Sequence, residues 1–240
     1  LKAPRIEVVD ALRGFAIMSI MLLHNIEHFD YYFFPEFFPD WLKALDKIIW
    51  NTLFFLFGGK SYAIFALLFG FSFYIQNNNQ EQKGKNFRVR FFWRLILLFG
   101  FGFVNTLFYE GDILMFYAVL GLTLIPVVNW SNKAVFSLAV FLMLQPLEWT
   151  KYVYILFHPD YIPAPNTSDF YFGKMGLYLN SNSFIDYAIG NLQIGKMAAM
   201  FWSWENGRFF QAPALFMIGM LVGRKQLFSK TESNLIFWKK

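Results

Sequence analysis

Val8-Val9-Asp10-Ala11-Leu12-Arg13-Gly14-Phe15-Ala16-Ile17-Met18-Ser19-Ile20-Met21-Leu22-Leu23-His24-Asn25-Ile26 is the stretch that decides the class of this chain. As a helix rising about 1.5 Å per residue it is long enough to cross a hydrocarbon core roughly 30 Å thick. Its apolar residues run together instead of alternating with polar ones at amphipathic spacing. The same pattern recurs along the chain. Further spans are expected at Leu53 to Ile75, Phe91 to Tyr109, Asp112 to Val128, Lys133 to Leu147 and Phe209 to Leu221. The reading is an all-α, polytopic transmembrane bundle of about six spans over residues 1–240.

Composition supports that class. Of the 240 residues, 57% are hydrophobic and only 15% charged, against about 25% charged in soluble domains. The net charge of +5 invites a nucleic-acid reading, but the 21 Lys and Arg residues flank the apolar runs, as the positive-inside rule requires, so membrane lipids and not nucleic acid are the expected partners. Placing the N-terminus in the cytoplasm puts 76–90, 129–133 and 223–240 on the same side, with two thirds of the basic residues there or at the adjoining helix ends. The absence of cysteine excludes disulfides, thiolate catalysis and cysteine metal sites. No small-residue cleavage pattern follows Leu1 to Arg5, which speaks against a removed signal peptide, and the absent initiator Met suggests a trimmed fragment.

Two external segments follow from this topology, 27–52 and 148–208. The second is a loop or lid region, with Pro163, Pro165 and Asn180-Ser181-Asn182-Ser183 too polar to span. Its apolar piece Phe184 to Trp204 reads as an interfacial or re-entrant helix.

The first span carries Asp10, Arg13, His24, Glu27 and His28. At about 100° per residue, Arg13 and His24 differ by only about 20° around the helix, and Asp10 and His28 lie within about 40° of His24. This polar stripe rises about 16 Å from the cytoplasmic edge. Ionisable groups at such depth usually face a cavity or a partner. Asp10–Arg13 can also be a plain interfacial pair, and His24 a histidine satisfied by a carbonyl, but His24 is the side chain suited to taking and returning a proton near neutral pH. Residues 24–28, His-Asn-Ile-Glu-His, spell a zinc pattern whose third ligand only Glu110 or Asp112 could supply, and no metal is expected.

Lys60 either snorkels at the outer end of the second span or serves the cavity. Lys83, Lys85, Arg88, Arg90 and Arg94 form a cytoplasmic cluster that either anchors the chain to anionic headgroups or docks a phosphate-bearing ligand. Glu110 and Asp112 sit at the outer face, and Asp112 can cap the helix that follows.

Taken together, Arg5-Ile6 and Val9-Asp10-Ala11-Leu12-Arg13-Gly14-Phe15-Ala16-Ile17, Gly59-Lys60-Ser61 with Leu67-Leu68-Phe69-Gly70-Phe71, Gly111-Asp112-Ile113-Leu114 with Tyr117-Ala118 and Gly121, and Leu215 to Gly223 resemble the YeiB family of bacterial membrane proteins. Such proteins are similar to the transmembrane acyltransferase superfamily, which includes heparan-α-glucosaminide N-acetyltransferase and the acyltransferase-3 enzymes. In the latter, an Arg, ten residues and a His mark the first helix, the spacing of Arg13 and His24. The resemblance implies His24 as catalytic base, Arg13 as organiser of the donor path, and Arg88, Arg90 and Arg94, beside Lys83 and Lys85, as the acyl-CoA site. It implies a protein of the bacterial inner membrane that moves an acyl group, in the first instance acetyl, from cytosolic acyl-CoA to an extracytoplasmic hydroxyl or amine acceptor such as a sugar or envelope glycan, with Glu27 or Asp112 orienting the base. YeiB proteins usually continue for several more helices, so this chain reads as the N-terminal part. A homo-oligomer fits the reading. The competing expectation is a transporter or channel with Asp10, Arg13, His24 and Asp112 along its path.

Overall fold

The computed structural model describes residues 6–29, 37–229 and 232–239, the side chains of Glu27, His28 and Phe29 excepted. Helices and their connections make up the described residues, with no strand among them. The opening run forms α1, Glu7–Phe29, with Glu7 and Asp10 in the first turn, where carboxylates favour a helix N-terminus. Val9, Ala16 and Ser19 face inward, while Phe15, Ile17, Met18 and Met21 are exposed, a distribution suited to lipid and costly in water.

The expected span 53–75 straddles a break. Apolar residues from 40 to 81 divide at Gly58-Gly59 into α2, Asp40–Phe57, and α3, Lys60–Glu81. Gly59 takes φ 71°, which favours glycine. Most of α2 lies in the expected external segment 27–52, in which no helix was expected. The polar residues 82–87 then lead into α4, Arg88–Thr106.

Six spans do not emerge by length. Glu7–Ile26, Asp40–Glu81 and Arg88–Thr106 are long and apolar enough to cross a membrane. The expected fourth span is two short helices, α5, Leu114–Gly121, and α6, Leu124–Val127. The fifth ends early: α7, Asn132–Met143, stops where Gln145 turns left-handed at φ 51° and Pro146 opens α8, Pro146–Phe157. Thr167–Leu179 forms α9. A π-helical turn, Asn191–Gly195, then joins α10, Phe184–Gly190, to α11, Lys196–Glu205, so the expected piece 184–204 is helical with a π-helical turn inside it. The sixth expected span lies within α12, Arg208–Arg224, about 26 Å long, and α13, Glu232–Lys239, follows.

α3 and α12 run parallel and touch backbone to backbone. A Cβ on Gly70 would lie 1.8 Å from the Phe216 carbonyl oxygen, and one on Gly219 would lie 1.9 Å from that of Leu67. Such small-residue contacts hold helices together where lipid removes the hydrophobic drive. Around them Phe73, Tyr117, Leu124, Val135, Phe216 and Met220 are almost fully buried, so one core joins α3, α5, α6, α7 and α12.

α1 packs antiparallel on α3: Arg13 donates to the Ser72 hydroxyl at 3.4 Å, and Arg94 of α4 donates to Gln76 of α3. The start of α1, the end of α3 and the start of α4 are thus at one end of the bundle, together with the basic cluster. His24, Gly59 and Tyr109 are at the other.

Adding one methyl group tests the close contact. Gly70→Ala and Gly219→Ala should each lose roughly 1–3 kcal/mol or more of unfolding free energy in detergent, whereas Gly100→Ala, whose added Cβ would meet nothing within 4 Å, should cost nothing.

Candidate functional site

Two polar regions flank the bundle's long axis. The cationic end is a groove. A cavity of about 380 Å³ between α1, α3 and α4 is walled mostly by Phe and Leu side chains, with Arg13, Ser72, Gln76 and Arg94 as its polar groups. It runs along α3 from Gln76 to Phe65, about 16 Å at helical rise. A second cavity of about 220 Å³ shares Gln76 and Arg94 and adds Lys83 and Arg90, so the basic face and Arg13 open onto adjoining space. Three of the five expected donor-site residues, Lys83, Arg90 and Arg94, line this route. Arg88 and Lys85 line neither cavity. Arg13 pairs with Asp10 at 3.1 Å, but both are partly exposed, so the pair orients the guanidinium more than it stabilises the fold. Lys60 donates to the Phe55 carbonyl at the end of α2 and lies 4.8 Å over the Phe55 ring, which anchors it outside the cavity.

The other end is built on the turn Tyr109-Glu110-Gly111-Asp112 between α4 and α5. His24 does not line the groove. It meets this turn, with Nδ1 3.2 Å from the Tyr109 hydroxyl and the rings edge-to-face at 5.4 Å. A neutral imidazole that donates from Nδ1 to the phenol oxygen keeps Nε2 as its basic atom. Glu27 and His28, also assigned to this stripe, lie outside the described side chains.

Asp112 is buried and held on three sides. Its carboxylate accepts from the Asn105 amide at 2.8 Å and from the Met115 backbone N–H at 3.2 Å, the capping role expected for it. Lys196 approaches from α11: Nζ donates to the Asp112 backbone carbonyl at 2.8 Å and stands 3.9 Å from the carboxylate. Burial lowers the Lys196 pKa below the usual lysine range, and the Asp112 charge opposes that shift. Nearby, Tyr178 of α9 and Asn191 of the π-helical turn surround Gly195. A Cβ at Gly195 would lie 2.6 Å from Glu110 Cβ, 2.7 Å from the Tyr178 hydroxyl and 3.3 Å from Asn191 Oδ1. Burial, with Glu110 and Tyr187 adding to it, pushes the Tyr178 phenol well above its ordinary range. The Tyr187 hydroxyl ties α10 to the end of α4 through the Phe108 carbonyl, and Glu205 holds the first turn of α9 by accepting from the Thr167 and Ser168 N–H groups.

The structure therefore gathers His24, Glu110 and Asp112 around one turn, and sets Arg13 and Arg94 on one cavity and Lys83 and Arg90 on a second that shares Arg94. Sequence reading missed Tyr109, Asn105, Lys196, Asn191 and Tyr178 at the turn, and Ser72 and Gln76 at the cavities. A signal existed for one of them: Lys196 is the lone cation in the apolar piece 184–204.

Over 122 residues the chain is 35% identical to the protein described as "Uncharacterized 39.9 kDa protein in amylase 3'region" of Bacillus acidopullulyticus, covering 51% of this chain and 34% of that one. Over 132 residues it is 36% identical to "Uncharacterized protein YxaH" of Bacillus subtilis (strain 168), covering 50% and 32%. The chain thus spans about a third of the length of the curated relatives it matches. No protein-family profile and no solved structure matches it.

The Lys196–Asp112 contact can be weighed directly. Lys196→Met, which leaves the Asp112 carboxylate buried without its cation, should cost about 3–5 kcal/mol, and adding Asp112→Asn should cost less than the sum of the single changes in a double-mutant cycle of detergent unfolding.

Proposed function

We propose that this chain is part of a membrane acyltransferase related to the YeiB family, moving an acyl group from cytosolic acyl-CoA to a hydroxyl or amine acceptor outside the bacterial inner membrane. The observation that carries the reading is the cavity that runs about 16 Å along α3 from Gln76 to Phe65, with Arg13 of α1 on its wall. A second, adjoining cavity shares Gln76 and Arg94 with it and brings Lys83 and Arg90 to the same end. Cations at that end suit the phosphates of CoA, and a cleft walled by apolar side chains suits the pantetheine arm.

In this arrangement the N-terminus and the basic cluster face the cytoplasm. The short helices α5 to α7 complete the membrane-embedded body together with α12. His24 removes the acceptor proton as its nucleophile attacks the thioester carbonyl, and Tyr109 fixes the imidazole. Asp112, braced by Lys196, holds the turn on which Tyr109 stands.

Acetyl-CoA should raise the melting temperature of the purified protein, and Arg94→Gln should reduce that shift. Transfer or hydrolysis should fall at least a hundredfold in His24→Ala, the usual scale of a lost general base. Unchanged activity in His24→Ala ends the assignment. A solute path along the same stripe, the competing reading, predicts no stabilisation by the thioester.

A further inference from the structure

Among the described residues, four buried side-chain polar atoms make no hydrogen bond, and three of them converge at one place: the Tyr178 hydroxyl and both amide atoms of Asn191. Each such atom costs about 1–3 kcal/mol if nothing completes it. Asn191 is fully buried, and it sits in a π-helical turn, a distortion that recurs at functional sites. Only glycine fits at 195, where an added Cβ would strike Glu110 and the Tyr178 hydroxyl, so Tyr178 and Asn191 approach this turn closely.

We infer that Asn191 and Tyr178 form a binding site for a hydroxyl group, the acceptor's end of the reaction; this assignment rests on the acyl-transfer reading above. The chemistry of the donors selects the ligand. Asn191 offers an acceptor oxygen and a donor N–H₂ side by side, and the phenol does either, so a neutral hydroxyl that both donates and accepts completes all three. Both side chains pack around Gly195 against Glu110, next to Lys196, which holds Asp112, and so they adjoin the turn whose Tyr109 bonds His24.

In the transfer step the hydroxyl oxygen forms a C–O bond to the thioester carbonyl while the C–S bond breaks. The hydroxyl proton passes to His24 and then to the departing CoA thiolate. Water held by the same three atoms would give hydrolysis instead.

The test uses the purified full chain, acetyl-CoA and glycerol as the probe hydroxyl. Asn191→Leu and Tyr178→Phe should raise the KM for glycerol about tenfold, the loss of one or two hydrogen bonds, while kcat at saturation changes much less. Tyr178→Phe removes a single oxygen and serves if Asn191→Leu fails to fold. An unchanged glycerol KM in both variants overturns the site, as does a wild-type protein that cleaves acetyl-CoA but forms no glycerol ester. If the wild type cleaves no acetyl-CoA, the acyl-transfer reading falls and binding decides the site. A saturation-transfer NMR signal on glycerol that Tyr178→Phe removes upholds it; no signal in the wild type overturns it.

Discussion

The backbone contact between α3 and α12 is the constraint on which the other elements depend. Gly70 and Gly219 let two helices approach until each backbone lies where the other's Cβ would be. In lipid, close van der Waals packing of this kind replaces the water-driven collapse that holds soluble bundles. The contact seats Phe216 and Met217 of α12 against the aromatic face of α3, and through Tyr117 it fixes α5. Once α3 is fixed, so is the row Phe65, Leu68, Phe69, Ser72 and Gln76 that walls one side of the groove.

The polar end follows from a different balance. A buried carboxylate such as Asp112 needs donors, and it finds them in Asn105, the Met115 N–H and Lys196, residues from three separate elements. Lys196 in turn needs acceptors, which the Asp112 carbonyl and carboxylate supply. The mutual requirement draws α11 onto the turn between α4 and α5, and Tyr109, on that turn, reaches His24. A cluster that satisfies one buried charge thereby positions the histidine that carries the proposed chemistry.

How much of this was legible in the sequence varies with the kind of contact. Long apolar runs gave α1, α3 and α4, because periodicity and length are local properties. The Gly58-Gly59 break was visible as a pair of glycines but was read as part of a span, since only the positive φ at Gly59 separates a kink from a continuous helix. α5 to α7 were read too long because Pro126 and Gln145-Pro146 lie inside apolar sequence that hides the ends. Arg13 and His24 share a helix, so their common stripe could be found by counting. Lys196 stands 84 positions from Asp112, and Ser72 stands 59 from Arg13, so no spacing rule could pair them.

The central claim is that one groove conducts a donor from the basic face toward His24. Electron cryomicroscopy of the full-length protein with a non-hydrolysable acetyl-CoA analogue tests it most directly. The account predicts phosphate density at Lys83, Arg90 and Arg94, an arm running between α3 and α4 past Arg13, and the acyl carbonyl within reach of His24. An analogue bound elsewhere, with the groove left empty, would contradict it.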